Sequence, residues 1–462
     1  MDYISRYQRC SANDYDNRRA NFFGEMRLRS VFALSAAFVA GFAAHALLGT
    51  AEAKPASESP YAAMAQLGRV LTLVENDYVD PTDRTKLVNG AIEGMVDNLD
   101  PHSSYLPPHE YKQLQDDTEG KFAGIGVEVE LREDAIIVLA TIEGSPAERA
   151  GLKSGDRILA VDGQTIKEIG YDKLVRRMRG APGTHVKLAV VHLGRADPMQ
   201  IDVVRAEVHM LSVRGTMMPN GVAYVQVRQF QGNTHEEMQK VIAKLRAASP
   251  TIQGVLFDLR ANPGGLVDQA TAVADEFMDT GTIYTMRHRG QIVESASAHA
   301  GGAFVGLPTV VLMNAFSASA SELVAGALQD SIHATVVGTR SWGKGVVQQI
   351  IDLPGGAGMK LTVSRYYTPS GHGVQGEGIF PDVLVEPNAD AGTPMRENDI
   401  PNALPSEGSQ SHDAGVRVTY DVPDGSSPDS LVARDLPNDP YKANDPVMKV
   451  GYETLLKKMG KQ

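Results

Sequence analysis

The stretch NAFSASASELVAGALQDSIHATVVGTRSWGKGVVQQ, residues 314–349, sets three serines within five positions and later one lysine between two glycines. Ser317, Ser319 and Ser321 follow the apolar run TVVLMN and open the amphipathic run ASELVAGALQD, so they occupy a strand-to-helix junction. Serine at a helix start accepts from free backbone amides, and a cluster of caps explains three serines without any chemistry. A serine nucleophile, in contrast, needs a base. None of the twelve histidines stands in a GxSxG or trypsin-like context. Lys344, between Gly343 and Gly345 and beside Trp342, can fill that role if burial keeps its amine neutral, because desolvation disfavours the ammonium form. Glu322, in the first turn of the same helix, reads as a complement to the helix dipole rather than as an acid.

A second junction carries related potential. DLRANPGG, residues 258–265, joins the buried strand GVLFDLR to the helix GLVDQATAVADEFMD. Gly264 and Gly265 can aim backbone amides at a developing negative charge with no side chain in the way, although for this motif by itself a tight turn needing positive φ is the better account. From Met210 onward strand and helix patterns alternate, which is the signature of an α/β core that holds both junctions on one sheet.

Two further regions precede that core. Residues 61–118 show helical spacing at Leu67, Val70, Leu71 and Val74, then at Leu87, Ile92, Met95 and Leu99, punctuated by VDPTD and LDPHSSYLPP. From Lys121 to Arg205 the texture becomes short β runs with one helix, YDKLVRRMRG. GSPAERAGLKSGDRILAVDGQTI, residues 144–166, resembles a PDZ domain, a module that adds a chain terminus to a sheet edge and holds its carboxylate with loop amides. FAGIGV supplies such a loop: Gly124 and Gly126 let the backbone turn its amides inward, and Ile125 and Val127 are placed to line a pocket for the last side chain of the ligand.

SASASE, SWGKGVVQ, DLRANPGG and the PDZ stretch together resemble the carboxyl-terminal processing peptidases of peptidase family S41, from about Tyr61 to about Glu386, with LDPHSSYL and GKFAGIGV included. The resemblance implies an α+β multidomain fold: a crotonase/ClpP-like α/β catalytic core, an inserted PDZ domain and a helical amino-terminal region. It implies that Ser319 is the nucleophile, that Lys344, twenty-five positions later, is the general base, and that Gln348 orients the lysine. The oxyanion hole is implied to be the Ala320 amide with that of Gly264 or Gly265, and Ser317 and Ser321 are left as caps or spacers. No cofactor and no metal are implied. Expected partners are protein or peptide substrates with free C termini, with an adaptor protein and homo-oligomerisation left open.

Composition narrows the alternatives. The chain has 462 residues, a formal net charge of −12 and no basic stripe, which argues against nucleic acid as a partner. Its one cysteine, Cys10, excludes an intramolecular disulfide framework. MRLRS, an apolar run from Val31 to Gly49 and AEA read as a secretory signal, cleaved or retained as an anchor, so the expected location is the periplasm or cell envelope, with membrane association only if the segment is uncleaved. The expected organisation is an unassigned extension 1–25, a signal or anchor 26–53, a helical region 54–118, a PDZ domain 119–206, a peptidase core 207–387, a partly disordered linker 388–435 and a terminal helix 436–462. That helix has Val447, Val450, Leu455 and Leu456 spaced for docking on a partner or on the amino-terminal helices, or for fraying. A catalytically silent PDZ scaffold and a crotonase-like acyl transferase or hydrolase are the competing readings; the Ser319, Lys344 and Gln348 set weighs against the first, and the signal and PDZ insertion against the second.

Overall fold

The computed structural model describes residues 60–388 apart from 133, 134, 143 and 196, together with 394–407, 415–422 and most of 436–461. The expected extension 1–25 and signal 26–53 lie outside the described residues. The unit ending at Leu87 holds the helix Pro60–Asp77, where the expected helical spacing is realised with Leu67 and Val70 exposed. Arg84 and Glu75 form an ion pair within it.

The rest of the chain is built around a seven-stranded sheet. Its order is Val213–Met218, Val222–Val227, Gly254–Asp258, Thr309–Met313, Thr335–Gly338, Val383–Pro387 and Val416–Tyr420. The first pair is antiparallel and every later pair parallel. The central strands are apolar at consecutive positions because both faces are covered. Val255, Phe257, Val311 and Met313 face the helices Thr234–Ala248, Val267–Asp275 and Ala320–Ile332. Leu256, Val310, Leu312 and Val337 face the helix Pro446–Lys458 through Met448, Tyr452 and Leu455.

That last contact departs from the expectation for the terminal helix, which docks on the core sheet rather than on a partner or the amino-terminal helices. Gly451 permits the approach, since a Cβ there would lie 2.4 Å from Leu312 Cδ2. The 388–435 stretch departs as well. Its polar composition reads as linker, yet Val416–Tyr420 extends the sheet and the segment around Glu397 is packed, with Glu397 fully buried.

A second sheet lies beside the core. In it Gly358–Tyr367 pairs with Ser104–Leu106, Thr282–His288 and Val346–Asp352, and Thr282–His288 also pairs with Gln291–Ser297. Residues 127–204 form an antiparallel sheet around Ile136, Val138, Ile158, Leu174 and Leu188, with the helix Tyr171–Met178. Lys121–Gly124 and Ala206–His209 pair antiparallel, so this module leaves and rejoins the core through two adjacent strands.

Candidate active site

The strand Thr309–Met313 ends at a turn whose serines divide the work. Ser317 Oγ donates to Leu259 O (2.9 Å) and accepts from Asn314 N (3.0 Å), and Ser321 Oγ donates to Asn262 O (2.9 Å). Both therefore stitch the serine turn to the 258–265 turn. Ser319 Oγ makes no hydrogen bond among the described residues. Ser319 is the residue preceding the helix Ala320–Ile332, and its backbone sits at φ 55°, ψ −117°. A side chain held at positive φ is strained, and the surrounding bonds must maintain it.

Those bonds come largely from Glu322. Its carboxylate is fully buried and accepts from Ser319 N (2.7 Å) and Lys344 N (2.9 Å) at Oε2, and from Gly343 N (2.6 Å) and Ser341 Oγ (2.5 Å) at Oε1. Burial raises its pKa to about 7, against the opposing pull of those hydrogen bonds. Glu322 is thus the joint between serine turn and lysine loop, a larger part than the dipole complement read from its position in the first turn. Tyr366 adds a second joint, with its hydroxyl 2.7 Å from Ser319 O and 2.8 Å from Lys344 O.

Lys344 is partly buried, and its Nζ makes no hydrogen bond or ion pair among the described residues, including none with Ser319 Oγ. Burial lowers its pKa, the Lys360 ammonium lowers it further, and Glu397, Glu322 and Asp100 act in the opposite sense. Gln348 Nε2 is directed to Thr362 Oγ1 (3.4 Å) rather than to the lysine. Thr362 Oγ1 in turn donates to Asp100 Oδ1 (3.0 Å), whose carboxylate also takes Ser103 Oγ (2.7 Å) and the amides of His102 and Ser103. Burial pushes the Asp100 carboxyl up, but these donors outweigh it and hold the pKa below its ordinary value. The LDPHSS motif thereby underpins the strand Gly358–Tyr367, which pairs with the strand that carries Gln348. Asp100 and Ser103 lie within LDPHSSYL, but nothing in the sequence marks Thr362, 262 positions from Asp100, as their partner.

The glycine turn abuts the serine. A Cβ on Gly264 would fall 2.8 Å from Ala318 O, 2.9 Å from Ser319 Cβ and 3.0 Å from Ala320 N, at φ 101°. The Gly264 amide donates to Asn262 Oδ1 (2.9 Å). The amides of Gly265 and Ala320 have no acceptor among the described residues. Phe230 pairs with this turn, its N donating to Gly264 O (2.9 Å) and its O accepting from Leu266 N (2.8 Å).

Behind the turn lies a buried ion cluster. Arg260 forks onto Asp258 and reaches Asp445 Oδ1 at 2.8 Å, while Tyr224 donates to Asp258 Oδ2 at 2.8 Å. Asp445 also caps the helix Pro446–Lys458 by accepting from Met448 N.

The FAGIGV loop borders a cavity of about 310 Å³, lined by Gly124, Ile125, Gly126, Val127, Val175 and Met178 among others. The amides of Ile125 and Gly126 have no acceptor among the described residues. Gly126, at φ 79°, packs where a Cβ would lie 2.4 Å from Ser145 Cβ. Gln229 and Gln231, on either side of Phe230, line the same cavity.

Comparison with known proteins matches residues 221–385 to the profile of peptidase family S41, 137–191 to a PDZ domain and 37–109 to the N-terminal domain of the activating protease CtpB. A carboxy-terminal-processing protease from Bartonella bacilliformis is 40% identical over 332 residues, covering 71% of this chain and 76% of that protein. The carboxy-terminal processing protease CtpA of Bacillus subtilis is 34% identical over 323 residues, covering 70% and 68%. A Bacteroides fragilis protein described as an S41 protease superposes with a TM-score of 0.50 over 85% of this chain and 97% of its own, at 14% identity, a likeness of fold alone.

Proposed function

Because the chain belongs to the carboxy-terminal processing proteases of peptidase family S41 and is a serine-type peptidase with a PDZ domain, we propose that Ser319 is its nucleophile and Lys344 its general base. The observation that carries this is the shared Glu322 oxygen, which ties a strained serine to a lysine with a lowered pKa, neither side chain being hydrogen-bonded among the described residues.

In the proposed reaction neutral Lys344 Nζ takes the proton of Ser319 Oγ as the oxygen attacks a substrate carbonyl. The oxyanion rests on the Ala320 amide and the Gly265 amide, the latter preferred to Gly264 because the Gly264 amide is committed to Asn262. The lysine ammonium then protonates the leaving amine. Water, activated by the same lysine, releases the acyl group and restores the serine. A movement must first bring Nζ within hydrogen-bond reach of Oγ, as is common for catalytic groups without substrate. Gln348 supports the lysine strand through Thr362 and Asp100.

The PDZ cavity is assigned to the free C terminus of a protein substrate, with the Ile125 and Gly126 amides on its carboxylate. The basic, apolar and small-residue run at 26–53 supports export to the cell envelope as the place of action.

The test is mass spectrometry of a tailed protein substrate incubated with the full chain. Wild type should shorten it near the C terminus, while Ser319→Ala and Lys344→Arg should leave it whole, since guanidinium does not deprotonate at usable pH. Turnover by Lys344→Arg would rule out the lysine as base, and turnover by Ser319→Ala but not by Ser317→Ala would move the nucleophile.

A further inference from the structure

The lysine loop is clamped twice. Glu322 holds it from the core side, through Gly343 N and Lys344 N. The second clamp comes from residues 396–407, a segment with no motif and beyond the stretch that matches the S41 profile. Arg396 Nη1 donates to Arg340 O (2.8 Å) and Ser341 O (2.5 Å), Asn398 Nδ2 donates to Gly376 O (2.8 Å), and Glu407 engages Arg365 and Tyr367.

Glu397 is the centre of this segment. It is fully buried, and its carboxylate accepts from Trp342 Nε1 (2.9 Å), Gln375 Nε2 (2.9 Å) and His102 Nε2 (2.7 Å), while its own amide donates to Trp342 O (3.2 Å). Gln375 then uses its carbonyl to accept from Gly345 N (2.9 Å). One carboxylate therefore fixes both flanks of Lys344, Trp342 directly and Gly345 through one intermediary. A buried carboxylate with three side-chain donors is a costly arrangement to assemble, and each donor it loses leaves a desolvated charge less satisfied.

We propose that Glu397 is a positioning residue for the peptidase reaction, holding the Trp342–Gly345 loop so that the Lys344 side chain enters the site from a fixed backbone. The proposal rests on Lys344 being the general base. Glu397 does not touch substrate or the reacting atoms; it acts through Trp342 and Gln375. Misplacement of a reacting group by about 1 Å costs on the order of 100-fold in rate, so a loosened loop should reduce kcat and spare substrate binding.

The experiment uses the full chain, an internally quenched peptide substrate with a free C terminus, and active-site titration with a fluorophosphonate. Trp342 is the only tryptophan, so its emission reports this contact without interference. Glu397→Gln keeps shape and removes the shared charged acceptor; Trp342→Phe removes one donor and keeps the ring. Glu397→Gln should lower kcat per titrated serine about 10- to 100-fold with KM within about twofold, and shift Trp342 emission to longer wavelength. Trp342→Phe should lower kcat in the same way, and the double variant should be no worse than Glu397→Gln alone, the non-additivity expected of a shared path.

Wild-type kcat per titrated serine in Glu397→Gln, or fully additive losses in the double variant, overturns the proposal. If Glu397→Gln does not fold, Trp342→Phe decides alone: reduced kcat at constant KM supports it and unchanged kcat overturns it. Lys344→Ala separates the two readings. Turnover there defeats the base assignment, whereas an inactive Lys344→Ala beside a fully active Glu397→Gln defeats only the positioning role.

Discussion

Ser319 and Lys344 donate their backbone amides to one and the same atom, Glu322 Oε2, at 2.7 and 2.9 Å. The proposed nucleophile and the proposed base are therefore set relative to each other by a single carboxylate, not by a hydrogen bond between their own side chains.

That carboxylate makes the site sensitive to acid. Burial raises the Glu322 pKa from 4.5 to about 7. Between those values the folded chain holds a proton that the unfolded chain has lost, so this group's contribution to stability falls as pH rises through the window. Activity should move the other way. A protonated Glu322 gives up an acceptor site and releases one of the four donors, and Lys344 is protonated in acid as well. The acid limb of log kcat/KM should approach a slope of two, and Glu322→Gln should reduce it to one with a lower plateau. A wild-type slope of one, matched by the variant, would exclude this role.

Gly264→Ala should remove most of the activity. The new methyl meets Ala318 O, Ser319 Cβ and Ala320 N at 3.0 Å or less, and the backbone is at φ 101°. It displaces the donors on both sides of the proposed oxyanion position, where loss of one donor costs about 10²- to 10³-fold in kcat. Steady-state kcat on a short peptide measures it; a loss below about tenfold would mean that the turn lies outside the reacting centre.

How far the sequence revealed this site depends on how local each device is. The serine cluster, the glycine pair and the lysine between glycines advertise themselves because strand-to-helix turns demand particular residues within a few positions. Glu397 could not be seen this way: it meets His102 across 295 positions and sits in a stretch whose polar composition reads as linker. Asp445, 185 positions from Arg260, is hidden for the same reason. The alternation of strand and helix made the core legible, but periodicity says nothing about which partner a terminal helix will choose, and the sheet won through Met448, Tyr452 and Leu455.

Asp445→Asn should destabilise the folded chain by about 1.5 to 3 kcal/mol, the scale of a hydrogen bond to a charged group, since Arg260 keeps Asp258 but loses its second carboxylate. Arg260 and Asp445 are each 1% exposed at the side chain, so water cannot compensate. Equilibrium denaturation checks this, and a change under about 1 kcal/mol would show that Asp258 alone neutralises the guanidinium.

Peptides ending in a free carboxylate should bind Ser319→Ala protein about tenfold or more tightly than the same peptides ending in an amide, the scale of hydrogen bonds to a charged acceptor. The Ile125 and Gly126 amides at the cavity are the expected donors. Fluorescence anisotropy gives both affinities, and equal values would remove tail recognition from the FAGIGV loop.

The ion pair between Arg260 and Asp445 also has a bearing on the order of synthesis. The turn that ends in Gly264 and Gly265 is made before its second carboxylate: Asp258 pairs with Arg260 locally, but Asp445, which takes the remaining guanidinium donor, is translated 185 positions later, at the cap of the helix Pro446–Lys458. A growing chain that already contains Ser319 and Lys344 still lacks this anchor and the helix that covers one face of the central sheet. Chains that stop short of Asp445 are on this account poor proteases: competence to cut follows only once the helix Pro446–Lys458 has been made and docked.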